Sequence, residues 1–294
     1  MSTLIQQYPG PDTLPVRMTE TVIDHTRLHV AVIEPDGPRS GAPPLIATLG
    51  IMAELNDFEV ARYRYLASLQ RRPVLVLDTP GWLASQGQST RSWSSLRRGS
   101  FAKVADDMYA ALKQAAPEFL DEPVSVIGYS MGCSSGSALA WRLAKAAIPV
   151  RAVTLVEPVA IEKTDVIRLG VRNGRENLRL GRHLADNADL VDVPRSEPTV
   201  VSDPAAWTTL AHLVWALSRA EMPHVLGKLT ALNHPAYTLI HGGSSRLAPA
   251  GAVTRLAEHL RKGGSPVQVV TVPKGRHGLW QSFPVVETLS PFIG

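Results

Sequence analysis

Short apolar runs recur along this chain, each bounded by Pro, Gly or Asp. Leu28 to Ile33, Leu45 to Leu49, Val74 to Leu77, Val124 to Ile127, Ala152 to Val156, Tyr237 to Ile240 and Val267 to Val272 have the length and composition of strands. A further run around Thr21 to Asp24 lies close enough to the first of these to pair with it as a hairpin. Glu59 to Gln70, Phe101 to Ala115, Ser135 to Ala147 and Ala252 to Arg261 read as helices. Strands alternating with helices predict a mostly parallel sheet covered on both faces. The central runs are continuously apolar, as strands buried on both faces are.

One interval breaks the alternation. From Pro158 to Pro223 the composition is helical and no convincing strand occurs. A structureless loop of about 65 residues does not suit a compact domain, so the interval predicts a helical cap over one end of the sheet. The expected organisation is one core, residues 1–157 and 224–294, split by a cap at 158–223.

Composition narrows the class. With 294 residues, 45% hydrophobic and 19% charged, the chain is neither collagen-like, disordered nor coiled-coil. Cys133 is the single cysteine, which excludes an intrachain disulfide. Thirty basic against 26 acidic side chains leave +4, too small an excess to indicate a nucleic-acid partner. No run of about 18 apolar residues predicts a membrane span. The opening Met-Ser-Thr-Leu-Ile-Gln-Gln-Tyr-Pro-Gly lacks the features of a signal peptide, so a cytoplasmic location is expected.

The chemistry begins at Gly128-Tyr129-Ser130-Met131-Gly132, which follows the strand Val124 to Ile127 and precedes a helix rich in small residues. A nucleophilic serine needs this setting. A sharp, strained turn lifts its hydroxyl clear of the sheet, and small neighbours (Gly128, Gly132, Gly136) let strand and helix approach. The helix N-terminus adds positive potential for a developing anion. Here the sequence resembles the α/β-hydrolase superfamily over nearly its whole length. Leu49-Gly50-Ile51-Met52 stands where that family has His-Gly and its oxyanion loop, and Asp78-Thr79-Pro80-Gly81 is similar to its Asp-x-Pro-Gly turn. His241-Gly242-Gly243 and Gly275-Arg276-His277-Gly278 look like its last two strand ends. The resemblance implies an eight-stranded, mostly parallel sheet flanked by helices, with the cap inserted after strand 6. It also implies oxyanion donors at the backbone N–H groups of Met131 and Ile51.

Serine needs a base within hydrogen-bond reach. Of nine histidines, His277 follows the final strand, and the family's chain order puts the histidine last. The orienting acid is the harder question. The family most often places an Asp after the seventh strand, but Ser245 stands there, and a serine cannot stabilise an imidazolium as a carboxylate does. Glu157, at the end of the apolar strand Ala152 to Val156, is the expected acid; some haloalkane dehalogenases and related luciferases carry theirs in a similar place. Asp165, Asp203 and the Ser245 hydroxyl are the alternatives, and Glu157 could instead be a hinge residue facing water.

A serine nucleophile with an oxyanion hole suits hydrolysis of an ester, thioester, lactone or related acyl bond in a small molecule. Carbon–carbon bond hydrolysis and a catalytically silent binding protein remain alternatives. No metal-ligand or phosphate-loop motif occurs, so neither metal nor cofactor is expected. Trp82, Trp207 and Trp215 are candidates to line the substrate pocket. At 100° per residue, Arg168, Arg172, Arg175, Arg179 and Arg182 fall within about 80° of one helix face. They form either a solvated basic face or a recognition stripe for an anionic substrate or partner.

Overall fold

A computed structural model describes residues 14–51, 53–80, 90–186 and 204–294. Eight strands form one sheet. They are β1 (Val16–Ile23), β2 (Thr26–Ile33), β3 (Leu45–Thr48), β4 (Val74–Leu77), β5 (Val124–Tyr129), β6 (Val150–Val156), β7 (Ala236–Gly242) and β8 (Val267–Val272). Their order across the sheet is β1-β2-β4-β3-β5-β6-β7-β8. β2 runs antiparallel to β1 and β4, and every pairing from β4 onward is parallel. Each predicted apolar run lies on one of these strands. The expected hairpin is β1–β2, closed by a two-residue turn in which Asp24 and His25 take φ of 45° and 69°. Two left-handed residues give a turn whose twist matches that of the paired strands.

The helices are α1 (Asp57–Gln70), α2 (Thr90–Arg97), α3 (Ala102–Ala115), α4 (Gly132–Lys145), α5 (Val166–Asp186), α6 (Pro204–Ser218), α7 (Met222–Asn233), α8 (Ala250–Lys262) and α9 (Phe283–Leu289). Strand periodicity sends alternate side chains to opposite faces. Val30, Val32, Ile46, Leu75 and Leu77 therefore join a core with residues of α3, α4, α7 and α8. Ala31, Ile33, Leu45, Ala47, Val74 and Val76 join the opposite core with residues of α1 and α9. Doubly buried strands β3, β4 and β5 explain the unbroken apolar runs.

Between β6 and β7 the described residues contain helices and no strand. α7 starts at Met222 and packs on α4 and α8, so the expected cap boundary at Pro223 falls just inside a helix that flanks the sheet. Pro223 occupies the first turn of α7, where a missing N–H costs nothing.

Candidate active site

Ser130 sits at the turn between β5 and α4 with φ 57°, in the left-handed region that a non-glycine residue adopts only when its surroundings enforce it. The enforcement is visible. A Cβ on Gly128 would collide with the backbone of Gly132, and one on Gly132 with the carbonyl oxygens of Thr48 and Leu49. Thr48 Oγ1 donates to the Gly132 carbonyl at 2.7 Å, tying β3 to the start of α4. Beneath the turn, a Cβ on Gly136 would come within 2.6 Å of the same hydroxyl. Small residues at 128, 132 and 136 thus let strand, turn and helix meet.

His277 begins a short 3-10 turn, His277–Gln281, after β8. The loops that follow β7 and β8 are held against each other. Ser244 N–H donates to the Gly275 carbonyl at 2.9 Å, and a Cβ on Gly242 would strike the Gly275 backbone. This contact carries His277 back over the ends of the strands. Its Nε2 lies 2.9 Å from Ser130 Oγ, and its Nδ1 lies 3.0 Å from Glu157 Oε2.

Glu157 is wholly buried at the end of β6 and also left-handed, with φ 53°. A carboxylate in such a place is stable only when its lone pairs are filled. Besides His277, it accepts from the Gly242 N–H through Oε1 and from the Ser245 hydroxyl through Oε2, the latter at 2.5 Å. Of the expected alternatives, Asp165 caps α5, accepting from the N–H groups of Ile167 and Arg168 at 2.7 and 3.1 Å. Asp203 lies outside the described residues. Ser245 is no bystander: its hydroxyl donates to the Glu157 carboxylate.

One neighbour of His277 carried no sequence signal. Tyr129, the variable residue inside the Gly-x-Ser-x-Gly run, donates its hydroxyl to the His277 carbonyl at 2.9 Å. Its ring stacks on the imidazole, with centroids 5.7 Å apart and planes 22° from parallel. Burial pushes the Tyr129 phenol well above its ordinary range, so it stays a neutral donor. Behind it, the buried Arg62 lies over the Tyr129, Tyr63 and Phe58 rings at 5.8, 5.3 and 5.5 Å and pairs with Glu59. The Cys133 thiol is also pushed up by burial, with Sγ 3.1 Å from the Gly128 carbonyl, which leaves it a packing group.

The expected oxyanion donors flank the serine. Met131 immediately precedes α4, and Gly50 passes so close that a Cβ there would stand 3.4 Å from Ser130 Cβ, with Ile51 next in the chain. The candidate pocket tryptophans are not gathered in this way. Trp82 lies outside the described residues. Trp207 and Trp215, on α6, are 53% and 43% exposed. Trp215 donates its indole N–H to the Arg97 carbonyl at 2.8 Å. The cleft of about 680 Å3 that Trp215 lines includes none of Ser130, Glu157 and His277. Among the described residues no group of three or more His, Cys, Asp or Glu could hold a metal ion.

The model of the alpha/beta hydrolase family matches residues 56–289 of the chain. No curated protein matches its sequence. Solved structures do match in fold. A thioesterase domain from the curacin biosynthetic pathway is 13% identical, with a TM-score of 0.59, and the match covers 95% of this chain and 99% of that one. The 2-hydroxy-6-oxo-6-phenylhexa-2,4-dienoate hydrolase of Rhodococcus sp. strain RHA1 is 15% identical, TM-score 0.60, over 95% and 98% of the two chains. A variant of the esterase rPPE is 12% identical, TM-score 0.60, over 99% and 84%.

Proposed function

The chain belongs to the alpha/beta hydrolase family, and from that membership we propose that it is a serine hydrolase cleaving an ester, thioester or related acyl bond. The observation that carries the reading is the unbroken chain Ser130–His277–Glu157, with contacts of 2.9 and 3.0 Å. Glu157 holds the imidazole proton on Nδ1, which leaves Nε2 free to accept from Ser130. Ser130 Oγ attacks the acyl carbon as its proton passes to His277 Nε2. The oxyanion accepts from the N–H groups of Met131 and Ile51. Collapse breaks the bond to the leaving alcohol or thiol, which takes the proton from His277. Water, deprotonated by the same nitrogen, then releases the acid and restores Ser130.

An esterase and a thioesterase stand among the structural neighbours, in line with acyl transfer, and the dienoate hydrolase beside them keeps carbon–carbon bond hydrolysis as the alternative. A silent binding protein would draw on the serine at position 245, but that serine donates to Glu157, which favours a working site. The region 158–221 is, in this reading, the cap that selects substrate. The test is covalent labelling by a fluorophosphonate, followed by turnover of simple esters and thioesters of graded acyl length. Labelling lost in Ser130→Ala supports the proposal; folded wild-type protein that resists labelling refutes it.

A further inference from the structure

α5 packs its inner side on the elements of the candidate site. It lies against the His277–Gln281 turn, and the buried Glu176 accepts from the Arg246 N–H at 3.3 Å, one residue beyond Ser245. Among the described residues its outer side has no such partner. Ile167, Val171 and Leu178 fall within about 40° of one another around the helix axis, and they are 76%, 47% and 80% exposed. Gly170 and Gly174 border them, and a Cβ on either would meet nothing within 4 Å. Along the other border runs the arginine row. Arg168, Arg172 and Arg175 are exposed, and among the described residues none is paired with a carboxylate. The helical positions of Arg179 and Arg182 continue the row. Among the described side chains of the helix the one acid, Glu176, points inward and does not neutralise the row.

We infer that this face of α5 docks on an anionic lipid surface. A band of apolar side chains beside an uncompensated band of arginines, on a helix of 21 residues, matches what binds in the plane of a membrane interface. Open glycines leave the border of the apolar band without side chains, which lets the helix approach a fluid surface closely. The half-exposed Trp215 adjoins the band, lining one cleft with Ile167, Arg168 and Arg172, and indoles favour the headgroup level. Such docking sets the candidate site against the lipid, so that amphiphilic acyl compounds are the substrates it meets. That last step rests on the hydrolase reading; the docking does not.

Flotation with vesicles tests it, using phosphatidylcholine alone and an equimolar mixture with phosphatidylserine at physiological salt. Wild type and Ser130→Ala should float with the mixed vesicles and not with phosphatidylcholine. Each arginine near an anionic surface strengthens partitioning about five-fold, so Arg168→Gln/Arg172→Gln/Arg175→Gln should lose on the order of 100-fold. Ile167→Ser/Val171→Ser/Leu178→Ser should lose flotation too, and both variants should keep the circular dichroism and urea midpoint of the folded wild type. Equal flotation of wild type and variants overturns the inference. So does retention of wild type on polyglutamate without flotation, which would assign the face to an acidic protein. Flotation of wild type and Ser130→Ala without ester turnover by wild type would sink the hydrolase reading alone.

Discussion

Replacing Glu157 by Gln removes one charge and keeps the side-chain shape, so it isolates what the acid does. Glu157 receives three donors: Gly242 N–H, the Ser245 hydroxyl and His277 Nδ1. In the variant, the amide oxygen can keep the Gly242 contact, and the Ser245 hydroxyl can rotate to accept. His277 has no such escape. An amide N–H now faces Nδ1, which must accept, so the imidazole proton moves to Nε2, 2.9 Å from Ser130 Oγ. In that tautomer Nε2 cannot take the serine proton. The same inversion in the Ser-His-Asp template lowers kcat about 10,000-fold, or about 5 kcal/mol of barrier. Steady-state ester hydrolysis should show that loss in kcat with KM nearly unchanged, and the circular dichroism of the folded protein should be retained. Glu157→Asp should fall between. It keeps the charge but withdraws the carboxylate by about one bond length, and a misplacement of about 1 Å costs on the order of 100-fold. A folded Glu157→Gln enzyme within about ten-fold of wild type in kcat would refute the assignment of the acid.

Ser245→Ala should lower kcat about ten-fold at constant KM, because a hydrogen bond to a charged group contributes about 1.5–3 kcal/mol; Ser245→Thr should restore most of it, and steady-state kinetics decide. Gly132→Ala drives a methyl into the carbonyl oxygens of Thr48 and Leu49, neither of which can yield, so the variant should unfold at markedly lower urea or not fold at all. His29 is bonded to Asp78 at 3.1 Å and flanked by Glu20, and the Asp78 hydrogen bond raises its pKa above the usual 6.5. A raised folded pKa gives stability that is complete below the unfolded value and lost as pH climbs through the folded one. The urea midpoint should therefore fall, as pH rises above the unfolded value of 6.5, more steeply in wild type than in His29→Gln. Cys133 should resist iodoacetamide in the native protein and react fully in urea, as read by mass spectrometry; rapid native alkylation would contradict its burial.

The sequence was legible where one physical demand dominated. β3, β4 and β5 are buried on both faces, so nothing interrupts their apolar runs. The nucleophile turn was legible because close approach admits only small residues at 128, 132 and 136. Legibility failed where one residue type serves opposite ends of an element. Pro223, taken from the sequence as the end of the cap, stands in the first turn of a helix. It failed again at Tyr129, whose support of His277 depends on a fold contact 148 residues away in sequence. Trp215 is a further case: a tryptophan on an apolar helix signals burial against something, and only the fold shows the Arg97 carbonyl as its partner.

The serine at position 245 looked like a missing acid because the sequence gives strand ends, not the reach of side chains across them. β6 and β7 are neighbours in a parallel pair, about 4.8 Å apart. Glu157, left-handed at φ 53°, turns its side chain sideways from the end of β6, and its Oε1 takes the N–H of Gly242, the last residue of β7. The carboxylate thereby spans one interstrand spacing and arrives beneath the loop that holds Ser245. The vacated position needs only a small donor there, since a second carboxylate against Glu157 would repel it and displace the charge from His277. The longer side chain of glutamate supplies the span, and an aspartate on the same strand falls short by a methylene. Glutamate at 157 and serine at 245 are thus one device: the first crosses to the imidazole, and the second holds it there.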